Sequence, residues 1–125
     1  LIVVDSSGWL EYFIEGPNAG IFESVVADPH ELIVPSITIY EVFKQVARRS
    51  SASFALRAAS QMQKGEVIDL DSATSIAAAQ MSIERHLPMA DSIILTTARL
   101  HDAILWTQDA DFDGMEGVKY VPARS

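Results

Sequence analysis

What most constrains the fold of this chain is a rhythm: short, continuously apolar runs recur along it, and amphipathic stretches with helical spacing fill the intervals. Leu1-Ile2-Val3-Val4 is apolar at every position, as a strand buried on both faces must be. Leu32-Ile33-Val34, closed by Pro35, repeats the pattern, and Val67-Ile68 is a shorter run of the same kind. Ala103-Ile104-Leu105-Trp106 follows, and Val118 to Val121 is the last. Pro122 has no amide to donate, so that last strand belongs at an edge.

The intervening helices have legible ends. Ser6 or Ser7 is expected to cap a helix whose inward stripe is Trp9, Leu10, Phe13 and Ile14, with Gly16-Pro17 as its stop. Asn18 is expected to cap the next, with Ile21, Phe22, Val25 and Val26 inward and Asp28-Pro29 at its end. Helical spacing then covers about 36–49 and 51–64, and Gly65 ends it. Asp71 caps an alanine-rich helix reaching about His86, Pro88 breaks it, and a final helix covers about 90–101. Strands alternating with helices predict a three-layer α/β/α fold around a central, mostly parallel, four- to five-stranded sheet. With no repeat or linker in sight, residues 1–125 read as a single domain. Ligands of such sheets bind beyond the carboxyl ends of the strands, near a switch in strand order.

Carboxylates gather at that edge. Asp5 directly follows the first strand, and Asp109 follows the fourth by two residues, within Thr107-Gln108-Asp109-Ala110-Asp111-Phe112. Glu41 lies in the early turns of the helix after the second strand. Asp91 opens the helix leading into the fourth, and reaches the same edge if the break at Pro88 turns the chain back. Carboxylates converging there repel one another and stay ionised only with cations between them. An all-oxygen donor set suits Mg2+ or Mn2+ better than Zn2+. Such an ion activates water and stabilises a phosphate under attack, so the chemistry indicated is phosphodiester hydrolysis. Thr107 and Ser7 are placed to orient a carboxylate. The other acids also have plainer readings, Thr38-x-x-Glu41 as a capping box, Asp91 as a helix-terminus acid, Asp109 and Asp111 as turn residues. Asp5, a charge ending a four-residue apolar strand, is the least easily dismissed.

Composition narrows the classes. A net charge of −8 is wrong for a protein gripping nucleic acid through a broad basic surface alone. The absence of cysteine excludes disulfides and thiolate metal sites, and fits a cytoplasmic protein. No apolar run is long enough to span a bilayer, and Leu1 to Val4 is too short for a signal-peptide core. The mean hydropathy of +0.17 is high for a small chain and suggests apolar surface left over for a partner, although a tightly packed monomer gives the same figure.

Together, Val4-Asp5-Ser6-Ser7, Thr38-Ile39-Tyr40-Glu41-Val42, Ala90-Asp91-Ser92 and Thr107-Gln108-Asp109-Ala110-Asp111-Phe112 resemble the four acidic motifs of PIN domains, in order and along nearly the whole chain. Glu15-Gly16-Pro17 after the first helix and the closing Tyr120-Val121-Pro122 are most similar to the VapC branch, the toxins of VapBC toxin–antitoxin pairs. The resemblance implies a doubly wound sheet, a Mg2+ or Mn2+ site and endonucleolytic cleavage of RNA. By position it implies Asp5, Glu41, Asp91 and Asp109 as catalytic metal ligands, Asp111 as a competitor for the fourth place, and Thr107 as a supporting hydroxyl. It also implies a homodimer silenced by a small DNA-binding, VapB-like antitoxin.

Lys44 and Arg48 share the helical face of Glu41 and, with Arg49, are candidate RNA contacts, though a solvated helix face has the same pattern. Trp9, Phe13, Phe22 and Phe43 fall at core spacing, and Trp106 extends an apolar strand. His30, His86 and His101 have no metal-ligand spacing, and the glycines form no phosphate loop. A phosphoacceptor receiver domain would need adjacent acids after the first strand, where this chain has Asp5-Ser6-Ser7. A binding module of the same fold without turnover is the other alternative.

Overall fold

The computed structural model describes residues 1–124. The strands are β1 (Ile2–Val4), β2 (Ile33–Pro35), β3 (Glu66–Ile68), β4 (Ile104–Thr107) and β5 (Val118–Tyr120). The helices are α1 (Ser6–Phe13), α2 (Ala19–Val26), α3 (Ser36–Arg49), α4 (Ala52–Met62), α5 (Ser72–Arg85) and α6 (Met89–Leu100). All strand pairings are parallel: β1-β4-β5 form one hydrogen-bonded set, β2-β3 another, and a single bridge between Ile2 and Leu32 joins them. The strands run in the order β3-β2-β1-β4-β5, with β5 at an edge as Pro122 requires. The ladder thins between β1 and β2, where one bridge replaces the three-residue pairings that each strand makes with its other neighbour.

Alternation along the strands divides the interior into two cores, one on each face of the sheet. Val4, Leu32 and Val34 face one side, where Trp9, Phe13, Phe22, Val42, Val46 and Met62 bring in α1 to α4. Val3, Ile33 and Leu105 face the other, against Ile94, Leu95 and Ala98 of α6 and Phe112. The expected three-layer α/β/α arrangement is what forms.

Local details depart from expectation. Neither Ser6 nor Ser7 caps α1: Asp5 is the N-cap, its carboxylate accepting from the Gly8 amide at 3.1 Å. An ionised cap satisfies an orphan amide better than a hydroxyl, which frees both serines for other work. Asn18 stands at the start of α2, yet its side chain makes no capping bond. Ile14 and Ile21, expected inward, are 48% and 38% exposed, because α1 ends at Phe13 and α2 turns only Phe22 and Val25 to the core.

Gly8 sets how closely α1 sits on the sheet. A Cβ there would lie 2.6 Å from the Val4 side chain and 2.7 Å from the Phe22 ring, closer than carbon atoms approach. The start of α1, and with it Asp5, is thereby held tightly against β1.

The switch in strand order falls between β1 and β4. The chain leaves β1 for β2 on one side and enters β4 on the other, opening a crevice at their carboxyl ends. α6 passes into β4 through a short turn at Asp102 (φ 52°), so α6 descends the sheet and begins at the carboxyl edge. His86, in the left-handed region at φ 57°, ends α5 and makes the reversal before Pro88.

Candidate functional site

Register builds the first half of the crevice. Val4 pairs with Trp106, and the Asp5 amide donates to the Trp106 carbonyl at 3.1 Å, so Asp5 and Thr107 leave the sheet side by side. Thr107 donates its hydroxyl to Asp5 Oδ2 at 2.6 Å and accepts from the Asp109 amide at 2.8 Å. Ser7 donates to Asp5 Oδ1 at 2.7 Å and accepts from the Gln108 amide at 3.1 Å. Asp5 is 3% exposed and takes three hydrogen bonds, from Thr107, Ser7 and Gly8. A carboxylate has about four acceptor positions, so this pattern fixes its direction and leaves about one lone pair for another partner. Burial is the larger influence on its charge: desolvation, against the opposing hydrogen bonds of Thr107, Ser7 and Gly8, pushes the Asp5 carboxyl up to about 6, and the Asp109 charge adds to the rise.

The other carboxylates arrive from α3, α6 and the segment after β4. Glu41 accepts a short hydrogen bond from the Ser6 hydroxyl, which ties α3 to the first residue of α1. The capping-box reading of Glu41 does not hold. α3 starts at Ser36, and Thr38 lies inside it, donating its hydroxyl to the Pro35 carbonyl at 2.7 Å. Asp91 is in the first turn of α6, and Asp109 caps a 3₁₀ turn by accepting from the Asp111 amide at 2.9 Å. For these two the plain readings are true, and the site is built on top of them.

Asp5, Glu41, Asp91 and Asp109 line one cleft of about 390 Å³. One oxygen from each of Asp91, Asp109 and Asp111 lies within 4.8 Å of the others. Both competitors for the fourth position are therefore present together. Desolvation, then the charges of Asp109, Asp5, Glu41 and Asp111, push the Asp91 carboxyl up to about 7. A carboxyl raised chiefly by burial and by four neighbouring acids is what a cation pocket looks like before its cation is counted. The donors are all oxygen, and no histidine lines the cleft. That donor set fits a hard divalent ion such as Mg2+ or Mn2+.

Lys44 and Arg49 stand in the wall of this cleft, and among the described residues no salt bridge engages either. Arg48 lines the neighbouring apolar groove with Ile39 and Phe43 instead. Sequence reasoning missed Ser6 as the partner of Glu41 and Gln108 as the partner of Ser7. The serine pair behind Asp5 was the signal: it gave Ser7 its expected place on a carboxylate, while Ser6 was read only as a possible cap.

The family model of the PIN domain matches residues 2–118. No curated protein sequence is a significant match. Among solved structures, a toxin–antitoxin complex from Klebsiella pneumoniae is similar at TM-score 0.80 and 23% identity, over 95% of this chain and 96% of that one. VapC20 of Mycobacterium tuberculosis, a sarcin-ricin loop cleaving toxin, is similar at TM-score 0.76 and 17% identity, over 100% of both chains. VapBC2 of Rickettsia felis bound to a DNA fragment from its promoter is similar at TM-score 0.73 and 13% identity, over 97% of both chains. At these identities the structural likeness speaks for the fold. No helix among the described residues is long and apolar enough to cross a membrane.

Proposed function

The chain belongs to the PIN-domain family, and from that premise we propose that it is a Mg2+- or Mn2+-dependent endoribonuclease, the toxin of a type II toxin–antitoxin pair. The observation that carries this reading is the convergence of Asp5, Glu41, Asp91 and Asp109 from four separate segments into one cleft, with Lys44 and Arg49 in its wall. Acids used only for capping have no reason to share a cavity at such electrostatic cost.

In this reading Asp5 and Asp91 are the central ligands, Glu41 and Asp109 complete the set, and Asp111 stands beside Asp109. A bound Mg2+ or Mn2+ supplies the Lewis acidity that lowers the pKa of water and offsets charge building on the phosphate. The protein supplies position. Thr107 and Ser7 hold both oxygens of Asp5, and Ser6 holds Glu41, so the donor set is arranged before substrate arrives. Lys44 and Arg49 draw the RNA backbone to an otherwise acidic crevice, and a local pair of cations does this without a basic surface overall.

The partners proposed are an RNA substrate, a second copy of the chain and a small DNA-binding antitoxin. Tyr40, Leu56, Ile83 and Met89, each more than half exposed, support burial against protein partners. The Klebsiella pneumoniae relative is itself a toxin–antitoxin complex, and VapBC2 of Rickettsia felis is bound to promoter DNA. We place the activity in the cytoplasm, in one domain.

The test is cleavage of total cellular RNA in Mn2+, with cut ends mapped by sequencing, for wild type, wild type in EDTA and Asp91→Asn. Discrete cuts confined to active protein with metal are expected. Absence of cuts in every lane, with Mn2+ shown to bind, would favour a binding module, and cuts persisting in Asp91→Asn would refute the site.

A further inference from the structure

Asn18 is 1% exposed and does not cap the helix it precedes. Its Nδ2 donates to Gln108 Oε1 at 2.6 Å and to the Pro122 carbonyl at 3.0 Å. Its Oδ1 accepts from Arg124 Nε at 2.7 Å, and Arg124 Nη2 donates to the Pro17 carbonyl at 2.6 Å. Its backbone amide donates to Glu11 Oε2 at 2.7 Å. Both amide protons and the amide oxygen of the side chain are used. The orientation follows from chemistry: reversed, the amide would set oxygen against two carbonyl oxygens and an N–H group against a guanidinium. A fully satisfied buried network of this kind rigidifies what it joins. Here it joins three segments: the α1–α2 turn, the loop after β4, and the C-terminal tail.

The loop it grips is the one that arranges the acids. Gln108 lies between Thr107 and Asp109. Its backbone amide donates to Ser7, whose proton goes to Asp5, while the Asp109 amide donates to Thr107, whose proton goes to the other Asp5 oxygen. Rotation of either peptide would turn a hydroxyl away from Asp5. Among the described residues, the one hydrogen bond made by the Gln108 side chain is the one it accepts from Asn18.

We propose that Asn18, locked by Pro122 and Arg124 of the C-terminal tail, is a positioning residue that holds Gln108 and thereby sets the geometry and cation affinity of the acidic cleft. The tail acts as a strap, and its docking is read out at Asp5. This inference rests on the reading of that cleft as a divalent-cation site. Asparagine is required because aspartate would keep the bond to Arg124 and lose both donors, repelling Gln108 Oε1 and the Pro122 carbonyl. Asn18→Asp therefore separates docking of the arginine from the grip on Gln108.

The experiment uses the metal-free, 15N-labelled chain. Amide hydrogen exchange is followed at Gln108 and Asp109, and Mn2+ affinity is measured by calorimetry. The variants are Asn18→Asp, Gln108→Ala and Arg124→Ala, with Asp91→Asn as a control for the cation site. Arg124 is exposed, so its replacement leaves a folded protein even if Asn18→Asp does not. Exchange at the two amides is expected to quicken by about tenfold, the worth of one lost hydrogen bond. Mn2+ affinity is expected to fall by about tenfold, the low end for groups acting behind a ligand. Amides of α3 and α6 should keep wild-type exchange. Unchanged exchange and affinity in the folded variants would overturn the proposal. So would faster exchange spread evenly through the chain, or faster exchange at the two amides with no loss of affinity. If Asp91→Asn binds Mn2+ like wild type, the cation-site reading fails instead, and the exchange data still judge the strap.

Discussion

The two sides of the cleft are built on opposite principles. On the β1 side, Asp5 is buried and met by three donors, from Thr107, Ser7 and Gly8. On the α6 side, Asp91 is half-buried, accepts no side-chain or capping hydrogen bond among the described residues, and faces four other acids. The first carboxylate is placed by the fold. The second is placed by its helix and left without compensation for its charge. The difference teaches which part of the site is held by hydrogen bonds and which part carries charge that its neighbouring acids oppose, and substitutions on the two sides should fail in different ways.

The largest effect expected is on cleavage. Asp91→Asn and Asp5→Asn each lose at least about 100-fold in RNA cleavage rate, beyond the usual cost of removing a mere supporting group. Both keep the wild-type circular dichroism spectrum. Retained cleavage in either would remove it from the ligand set.

Thr107→Val sharpens the contrast. It strips a hydroxyl that serves Asp5 and Asp109 at once. The metal-free protein should lose about 1–3 kcal/mol in urea unfolding, because a buried oxygen and an amide are left without partners. Cleavage should fall by about 10- to 100-fold. Asp91→Asn should cost the metal-free protein no stability at about pH 8, since it deletes a repelled charge. Equal losses from the two variants would erase the distinction drawn above.

The pH dependence follows from the same asymmetry. Both Asp5 and Asp91 have carboxyls raised above 3.8, to about 6 and about 7. The folded chain thus holds protons that the unfolded chain releases. Their contribution is complete below about pH 4 and is lost as pH rises through the folded values. Melting of the metal-free protein should therefore occur at lower temperature at about pH 8 than at about pH 5. Asp91→Asn should flatten that slope, and Mg2+ should raise the melting temperature most at the alkaline end.

The smallest effect belongs to Ser6→Ala. It frees Glu41 while leaving every carboxylate in place, and should cost about threefold in cleavage.

The layers, the parallel pairing and the β5 edge were legible because apolar runs such as Leu1-Ile2-Val3-Val4, and Pro122, each answer to a single physical demand. The acids were legible as neighbours because strand ends and helix starts in a parallel sheet share an edge. Of the three expected contacts, Lys44 and Arg49 line the cleft while Arg48 lines the neighbouring groove, a split among residues of one helix that spacing from Glu41 alone does not resolve. The roles of Ser6, Asn18 and Gln108 were illegible for another reason. Hydrogen bonds spanning 35 and 90 residues leave no trace in local spacing. Local rules assigned Ser6 and Asn18 to caps, whereas in the structure Ser6 bonds Glu41 in the cleft and Asn18 bonds Gln108 and the C-terminal tail.

The most direct test of the central claim is Mn2+ binding by isothermal calorimetry at about pH 7, repeated in buffers of different ionisation enthalpy so that proton release is counted. With the Asp91 carboxyl at about 7 in the metal-free protein, saturable binding should release roughly half a proton or more per cation, and Asp91→Asn should abolish both binding and release. Binding without proton release, or undiminished binding by Asp91→Asn, would contradict the assignment of this cleft as the metal centre.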